Sequence, residues 1–309
     1  MLSQYILFHI KKQDVYIKSE ENMNNLSNPA TIRGLMSKHG FRFSKTLGQN
    51  FIIDDSVCPK IAELSGAAKD VCALEIGPGF GVLTAELAKR CGKVLAIDID
   101  KRLFPVLSET LAGCDNVEVI CGDVMKTDLN AMIRERSGGL RVIVCANLPY
   151  YITSPVIMRI LESKLPVKSV TVMVQKEAAA RICAPIPSRQ MGAVTVAVRW
   201  HSEPKLLFEV PPESFMPSPD VTSAVIRLDV RSTPPVNVAD EAMFFKVVKA
   251  AFSQRRKTLL NCIASGFALE KARAAELLSK ASVPASVRAE QLTLRDFAAV
   301  ADIFSDGVY

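Results

Sequence analysis

Asn147-Leu148-Pro149-Tyr150 follow a short apolar run, Val142-Ile143-Val144-Cys145-Ala146, that reads as a buried strand. An amide, an apolar residue, a proline and an aromatic at the end of a strand can grip a flat, amine-bearing ring. The amide oxygen and a free backbone carbonyl accept hydrogen bonds from the amine, proline stiffens the turn, and tyrosine stacks on the ring. Such a grip prepares an exocyclic amino group for methylation. Four residues recur by chance, so the weight rests on what surrounds them.

Upstream, Glu75-Ile76-Gly77-Pro78-Gly79-Phe80-Gly81 joins a strand-like run to a helix-like one. Glycines there, Gly77 and Gly79 first, let a ligand approach the backbone and tolerate φ angles that other residues resist. A dinucleotide fingerprint needs a third glycine three positions after the second, and that position is Val82, which weakens a pyrophosphate reading. An acidic residue about twenty positions on, Asp98, suits a ribose diol. Asp123 closes the following strand, where a carboxylate can accept from an adenine amine, although an Asp after Gly also serves as a turn or helix cap. Together these residues describe an adenosine pocket without a phosphate cradle. S-adenosylmethionine fits that description better than a nicotinamide cofactor.

The elements that must position these residues alternate. Val71–Ile76, Val94–Ile97, Val117–Ile120, Val142–Cys145 and Ser169–Val174 read as strands. Ser56–Leu64, Val82–Arg90, Leu103–Leu111 (with Pro105 in its first turn) and Pro155–Leu161 read as helices, the first capped by Asp54-Asp55-Ser56. This order argues for an α/β fold with a parallel sheet covered on both faces, ligands binding beyond the carboxyl ends of the strands. Past Gln175 the pattern changes: Ala193–Trp200 and Ser223–Val230 read as β runs, and residues after the linker Arg231–Pro235 read as all-helical.

Composition sets bounds. The chain has 309 residues, 49% of them hydrophobic, and a formal net charge of +6, a mild excess compatible with nucleic acid. Bases gather at Arg33, Lys38, Arg42 and Lys45 and at Arg255-Arg256-Lys257; each cluster is either a solvated face or a contact for phosphates. Eight cysteines and three histidines include no Cys-x-x-Cys pair, which argues against a metal and for reduced thiols in a cytosolic protein, Cys72 and Cys145 acting as small hydrophobes. No apolar run reaches a membrane span of about 18 residues. Residues 1–22 read as a disordered tail or as sequence upstream of a true start at Met23, and nothing demands more than a monomer.

In order along the chain stand LGQNFIID from Leu47, EIGPGFGVLT from Glu75, GDVMKTD from Gly122, NLPY from Asn147, MVQKEAAAR from Met173, FMPSPDVTSAV from Phe215 and AFSQRRKTLLN from Ala251. From about Ala30 to the C-terminus the sequence resembles the KsgA-type ribosomal RNA adenine N6,N6-dimethyltransferases. The resemblance implies a Rossmann-like methyltransferase sheet with a small C-terminal helical domain; with the polar, asparagine-rich start of the chain this divides it into a disordered extension over 1–30, a methyltransferase domain over 31–232 and an RNA-contacting helical domain over 233–309. It implies dimethylation of two adjacent adenosines near the 3′ end of small-subunit ribosomal RNA in a pre-ribosomal particle, in the cytoplasm, with S-adenosylmethionine and no metal. Carried over by position, Asn50 and Ile52 edge the cofactor site, Gly77 approaches the methionine moiety, Asp98 takes the ribose and Asp123 the adenine amine. Asn147 faces both sulfonium and target, and Phe215 closes on the base opposite Tyr150. Arg255, Arg256 and Lys257 contact RNA. One departure is Asp98, where the family more commonly has Glu; the carboxylate stays but its reach shortens, which bears on affinity more than activity. Tyr151 and Gln175-Lys176-Glu177 are expected to be structural. The rival readings are a macrolide-resistance type of methyltransferase acting on large-subunit RNA, a methyltransferase for protein or small-molecule amines, and a non-catalytic assembly factor.

Overall fold

The computed structural model describes residues 26–44 and 48–305. Most of the expected N-terminal extension, residues 1–25, lies outside them, as does Lys45. Residues 26–30 belong to the fold: Leu26 and Ser27 are buried, and Asn28 caps helix α1 (Pro29–Lys38) by accepting a hydrogen bond from Ala30 N at 2.8 Å.

Nine strands follow among the described residues: β1 (Phe51–Ile52), β2 (Val71–Ile76), β3 (Lys93–Asp98), β4 (Val117–Cys121), β5 (Arg141–Asn147), β6 (Val167–Gln175), β7 (Ser202–Val210), β8 (Phe215–Met216) and β9 (Ser223–Val230). Seven form one sheet in the order β4-β3-β2-β5-β6-β9-β7, with β2 to β6 mutually parallel and β9 antiparallel to β6. All six residues of β2 are buried, as expected for a central parallel strand covered on both faces. The chain order reverses between β2 and β5, and at that switch point the carboxyl ends of adjacent strands leave a crevice. The remaining two strands form a short antiparallel ribbon that pairs Phe51 with Met216 and Ile52 with Phe215.

Between the strands run α2 (Val57–Leu64), α3 (Val82–Arg90), α4 (Phe104–Thr110), α5 (Leu129–Arg136), α6 (Thr153–Glu162) and α7 (Lys176–Ile182). Pro105 sits in the first turn of α4, where its missing N–H has no intrahelical partner to lose. Ser56 does not cap α2 as expected: Asp54 Oδ1 instead accepts from Ser56 N and Oγ, and Asp54 Oδ2 accepts from Ser214 Oγ at 3.0 Å.

The chain divides into two compact units, one running to Ala179 and resuming over Lys205–Val230, the other comprising Ala180–Pro204 and the residues from Arg231 onward. The second unit thus takes in a segment that the expected boundary at 232/233 leaves with the sheet. It is helical: α8 (Ala193–His201), α9 (Glu241–Ala251), α10 (Leu259–Gly266), α11 (Lys271–Lys280) and α12 (Leu294–Ser305) enclose a core in which Trp200 stacks on Phe244 at 4.2 Å. Ala193–Trp200 is therefore helix and not strand. Its Thr195, Val196, Ala197, Val198 and Trp200 are all buried, so the run lacks the polar face that marks a helix in sequence.

All eight cysteines are free, and burial pushes the Cys72 thiol up to about 11 and the Cys145 thiol up to about 12. No cluster of metal-ligating side chains exists among the described residues.

Candidate active site

The glycine turn after β2 is a backbone surface. Gly77 N donates to Ile97 O at 3.0 Å, tying the turn to the end of β3, while Gly77 has φ +73°. A Cβ there would lie 3.7 Å from the Asn147 carbonyl, so the turn and the end of β5 face each other across the switch point. Gly79, at φ +59°, leaves room for the Phe51 ring, which a Cβ would meet at 3.0 Å. Phe51 stacks on Phe80 at 4.3 Å, and Phe41 meets Phe80 edge-on at 5.3 Å. These rings hold the loop carrying Asn50 and Ile52 against the glycine turn.

Asp98 ends β3. Its Oδ1 accepts from Asp100 N at 2.8 Å, and burial, with the Asp100 carboxylate adding to it, raises its carboxyl to about 6. Asp100 is itself buried; hydrogen bonds from Arg102 (2.8 and 2.6 Å) and Gln49 Nε2 (3.0 Å) overcome that burial and lower its pKa. Gln49 therefore joins the Asn50 loop to the strand end that presents Asp98. Asp123 shows the turn role considered for it: Oδ1 accepts from Met125 N at 2.9 Å, while Oδ2 lies 3.7 Å from Lys126 Nζ, and the residue lines the same cleft as Asp98.

On the far side of the switch point, Asn147 Nδ2 donates to Asn50 O at 3.4 Å. That bond fixes the amide and leaves its oxygen as the group with accepting capacity. Leu148 is buried, and among the described residues its carbonyl accepts no backbone hydrogen bond outside the regular elements. The Pro149 carbonyl accepts from Ile152 N (3.1 Å) and Thr153 Oγ1 (3.2 Å), closing the turn into α6. The Tyr150 hydroxyl is tethered to Ser223 Oγ at 2.7 Å. Phe215, buried at 3% exposure, reaches the cleft through its pairing with Ile52.

These residues line one cleft of about 340 Å³. Asn50, Ile52, Gly77, Gly79, Asp98, Asp123, Asn147, Leu148, Pro149, Tyr150 and Phe215 all contribute to it. Its described lining holds three carboxyl groups, Glu75, Asp98 and Asp123, and no Lys, Arg or His. Glu75 has no assigned role in the sequence reading. It is 1% exposed with Oε2 unpaired, and burial raises its carboxyl to about 8, Thr84 pulling the other way and Asp98 pushing with it. Ile99 (57% exposed), Val124 and Met125 also line the cleft and were not foreseen; the available signal was an apolar residue following each strand-end aspartate. Tyr151, expected to be structural, is 61% exposed and lines the cleft.

Arg255, Arg256 and Lys257 lie in the other unit, exposed in the loop between α9 and α10, with Arg255 donating to the Arg189 carbonyl at 3.3 Å.

Residues 40–306 match the family model described as ribosomal RNA adenine dimethylase. The chain belongs to that family. The "Ribosomal RNA small subunit methyltransferase A" of Alkaliphilus oremlandii is 46% identical over 281 residues, covering 91% of this chain and 98% of that one. The protein of the same name from Geobacillus thermodenitrificans is 43% identical, covering 90% and 96%. Among solved structures, the 23S rRNA methyltransferase ErmE superposes with a TM-score of 0.63 at 25% identity, covering 82% of this chain and 99% of ErmE. A dimethyladenosine transferase from Plasmodium falciparum superposes at 0.68 with 24% identity, covering 81% and 95%.

The dimethylase is an S-adenosylmethionine-dependent enzyme, and its cleft fits that cofactor. A ligand carrying a sulfonium and an ammonium suits a lining of three carboxyls and no bases, whereas a pyrophosphate does not. The unpaired Glu75 Oε2 leaves unused hydrogen-bonding capacity in the lining. No helix among the described residues is long and apolar enough to cross a membrane.

Proposed function

We propose that this dimethylase acts on two adjacent adenosines near the 3′ end of small-subunit ribosomal RNA, working as a monomer on a pre-ribosomal particle in the cytoplasm. The observation that carries this reading is the Asn147–Tyr150 turn at the switch point, opening onto a cleft lined by carboxyls and free of bases. Asn50, Ile52, Gly77, Gly79, Asp98 and Asp123 hold the cofactor, Asp98 at the ribose and Asp123 at the adenine amine. When bound, S-adenosylmethionine supplies an electrophilic methyl group.

Adenine N6 is a weak nucleophile because its lone pair is delocalised into the ring. The Asn147 side-chain oxygen and the Leu148 carbonyl accept the N6 hydrogens and hold them out of the ring plane, favouring a tetrahedral nitrogen. These bonds strengthen as positive charge develops on N6, so they stabilise the transition state more than the ground state. No strong base is needed, since the N6 proton becomes acidic only after attack. Pro149 fixes the turn, and Tyr150 and Phe215 stack on the base, returning about 1–3 kcal/mol per ring against the few kcal/mol that unstacking costs. By fixing the base, the Asn147–Tyr150 turn and Phe215 would supply the proximity that accounts for much of the remaining acceleration. Arg255, Arg256 and Lys257 take RNA phosphates.

The similarity to ErmE supports a second reading, in which the target is large-subunit RNA. Transfer of labelled methyl groups to separated small and large subunits, mature and partly assembled, with the modified bases mapped, decides between them. Two adjacent dimethyladenosines in the small subunit are expected; label confined to large-subunit RNA overturns the assignment.

A further inference from the structure

Two tyrosines follow each other on the catalytic turn, and they are treated differently. Tyr150 is half-buried and held by Ser223. Tyr151 is the one aromatic among the exposed large hydrophobic side chains of the described residues, and it also lines the cleft. Of the other four, Ile99 and Met125 follow the cofactor-side aspartates, whereas Leu206 and Val221 lie outside the cleft lining.

The Tyr151 ring has a seat. Gly48, at φ +57°, lies against it so closely that a Cβ would stand 3.5 Å from Cε1 and 3.6 Å from Cδ1, as well as 3.3 Å from Pro149 Cβ. The bonds from Ile152 N and Thr153 Oγ1 to the Pro149 carbonyl fix the backbone on either side. A ring held along one side and open to solvent elsewhere is a pre-organised surface that needs little ordering when something stacks on it. Tyrosine suits such a place, since its face is apolar and its hydroxyl stays in water.

A base that leaves its stack to enter the cleft uncovers the face of its neighbour. Successive Cα atoms are about 3.8 Å apart, so the ring that lines the cleft interior and the ring at its margin are separated by one step of the protein chain. We propose that Tyr151 is a second nucleobase platform, stacking on the base adjacent to the adenosine held by Tyr150. Its ligand class is a purine flanking the target, which rests on the proposed substrate of two adjacent adenosines. With one base on Tyr150 and the next on Tyr151, the strand is held in a single register, so the platform also governs how evenly the two positions are modified.

The test uses the full-length protein and small ribosomal subunits, comparing wild type with Tyr151→Ala, Tyr151→Phe and Tyr151→Trp. Initial rates, cofactor affinity and the extent of dimethylation at each of the two adenosines are read in parallel. Tyr151→Ala is expected to raise KM for the subunit roughly ten-fold, the size expected for one lost stack, and to make the two yields unequal. Its cofactor affinity and thermal midpoint should stay at wild-type values, and Phe and Trp should restore KM. An unchanged KM in Tyr151→Ala, or a Phe variant as impaired as Ala, overturns the platform while leaving the substrate assignment intact. A loss of cofactor affinity or thermal stability equal in Ala and Trp assigns Tyr151 to packing of the Gly48 loop instead. Failure of the wild type to methylate small subunits overturns the substrate reading and the platform with it.

Discussion

The cleft at the carboxyl end of the sheet and the loop between α9 and α10 carry opposite charge and are built by opposite means. The cleft presents Glu75, Asp98 and Asp123 with no base in its described lining, each carboxyl fixed at or near the end of a strand. The loop presents Arg255, Arg256 and Lys257 to solvent, with one bond from Arg255 to a carbonyl. A small cation is recognised by enclosed, directional acceptors, where the low dielectric strengthens every contact. A polyanion is recognised by exposed charges whose contribution comes largely from released counterions. The two ligands of the enzyme should therefore respond differently to salt: cofactor affinity weakly, RNA affinity steeply.

The largest break in this division of labour is expected at Asn147, the residue proposed to face both cofactor and target base. Asn147→Ala removes the acceptor proposed for charge developing on N6 and also the bond to the Asn50 carbonyl. Turnover should fall about 10²–10³-fold, the size seen when one donor is removed from an oxyanion hole. Cofactor affinity, measured by calorimetry, should stay within a few-fold. Unchanged turnover removes Asn147 from the mechanism.

Glu75 sharpens the acidic side. Its carboxyl is raised from an ordinary 4.5 to about 8, so the folded, cofactor-free protein keeps a proton that the unfolded chain releases. The stability tied to that proton is complete below the ordinary value and is lost as pH rises through the folded one. Asp98, raised to about 6, acts in the same sense over a lower range. Between pH 6 and 8 the Glu75 contribution falls by at most about 1.4 kcal/mol per pH unit. Glu75→Gln should flatten that decline in thermal midpoints measured without cofactor, and identical slopes for variant and wild type would show that Glu75 is already ionised in the folded protein across this range.

Asp123 gives a smaller effect, because its carboxylate is shared with the turn at Met125. Asp123→Ala should weaken cofactor binding by about ten- to thirty-fold, the lower end of the 1.5–3 kcal/mol of a hydrogen bond to a charged group. Asp123→Asn keeps an oxygen for Met125 N and separates the two roles: affinity lost in both variants belongs to the charge, and affinity recovered in Asn belongs to the turn.

These effects also mark what was legible in the sequence. Gly77, Asp98, Asp123 and Asn147 stand at or just past the ends of strands that read as apolar runs, so their convergence follows from alternation and the switch-point rule. The pairing of Ile52 with Phe215 does not follow, since a two-residue ribbon has no periodicity to detect. Glu75 was hidden inside an apolar run, where nothing in one dimension says that its side chain meets the cleft. Helix α8 was misread because its burial on nearly every side resembles that of a central strand, and the segment around it consequently seemed to belong to the sheet. What was read well depends on strand order; what was missed depends on contacts between residues distant in sequence.

The basic loop should show the smallest effect at any one salt concentration and the clearest signature across a series. Neutralising Arg255, Arg256 and Lys257 together should lower RNA affinity about ten-fold at physiological ionic strength and flatten the dependence of log affinity on log salt. The slope is the decisive quantity, because a variant that merely loosens the α9–α10 loop would lose affinity at every salt concentration without changing it. Cofactor affinity in the same variant should be unaltered, since none of the three residues lines the cleft. Equal salt slopes for variant and wild type would return the run to a solvated surface and leave the search for phosphate contacts to other exposed bases, with Arg189, whose carbonyl holds Arg255, first among them.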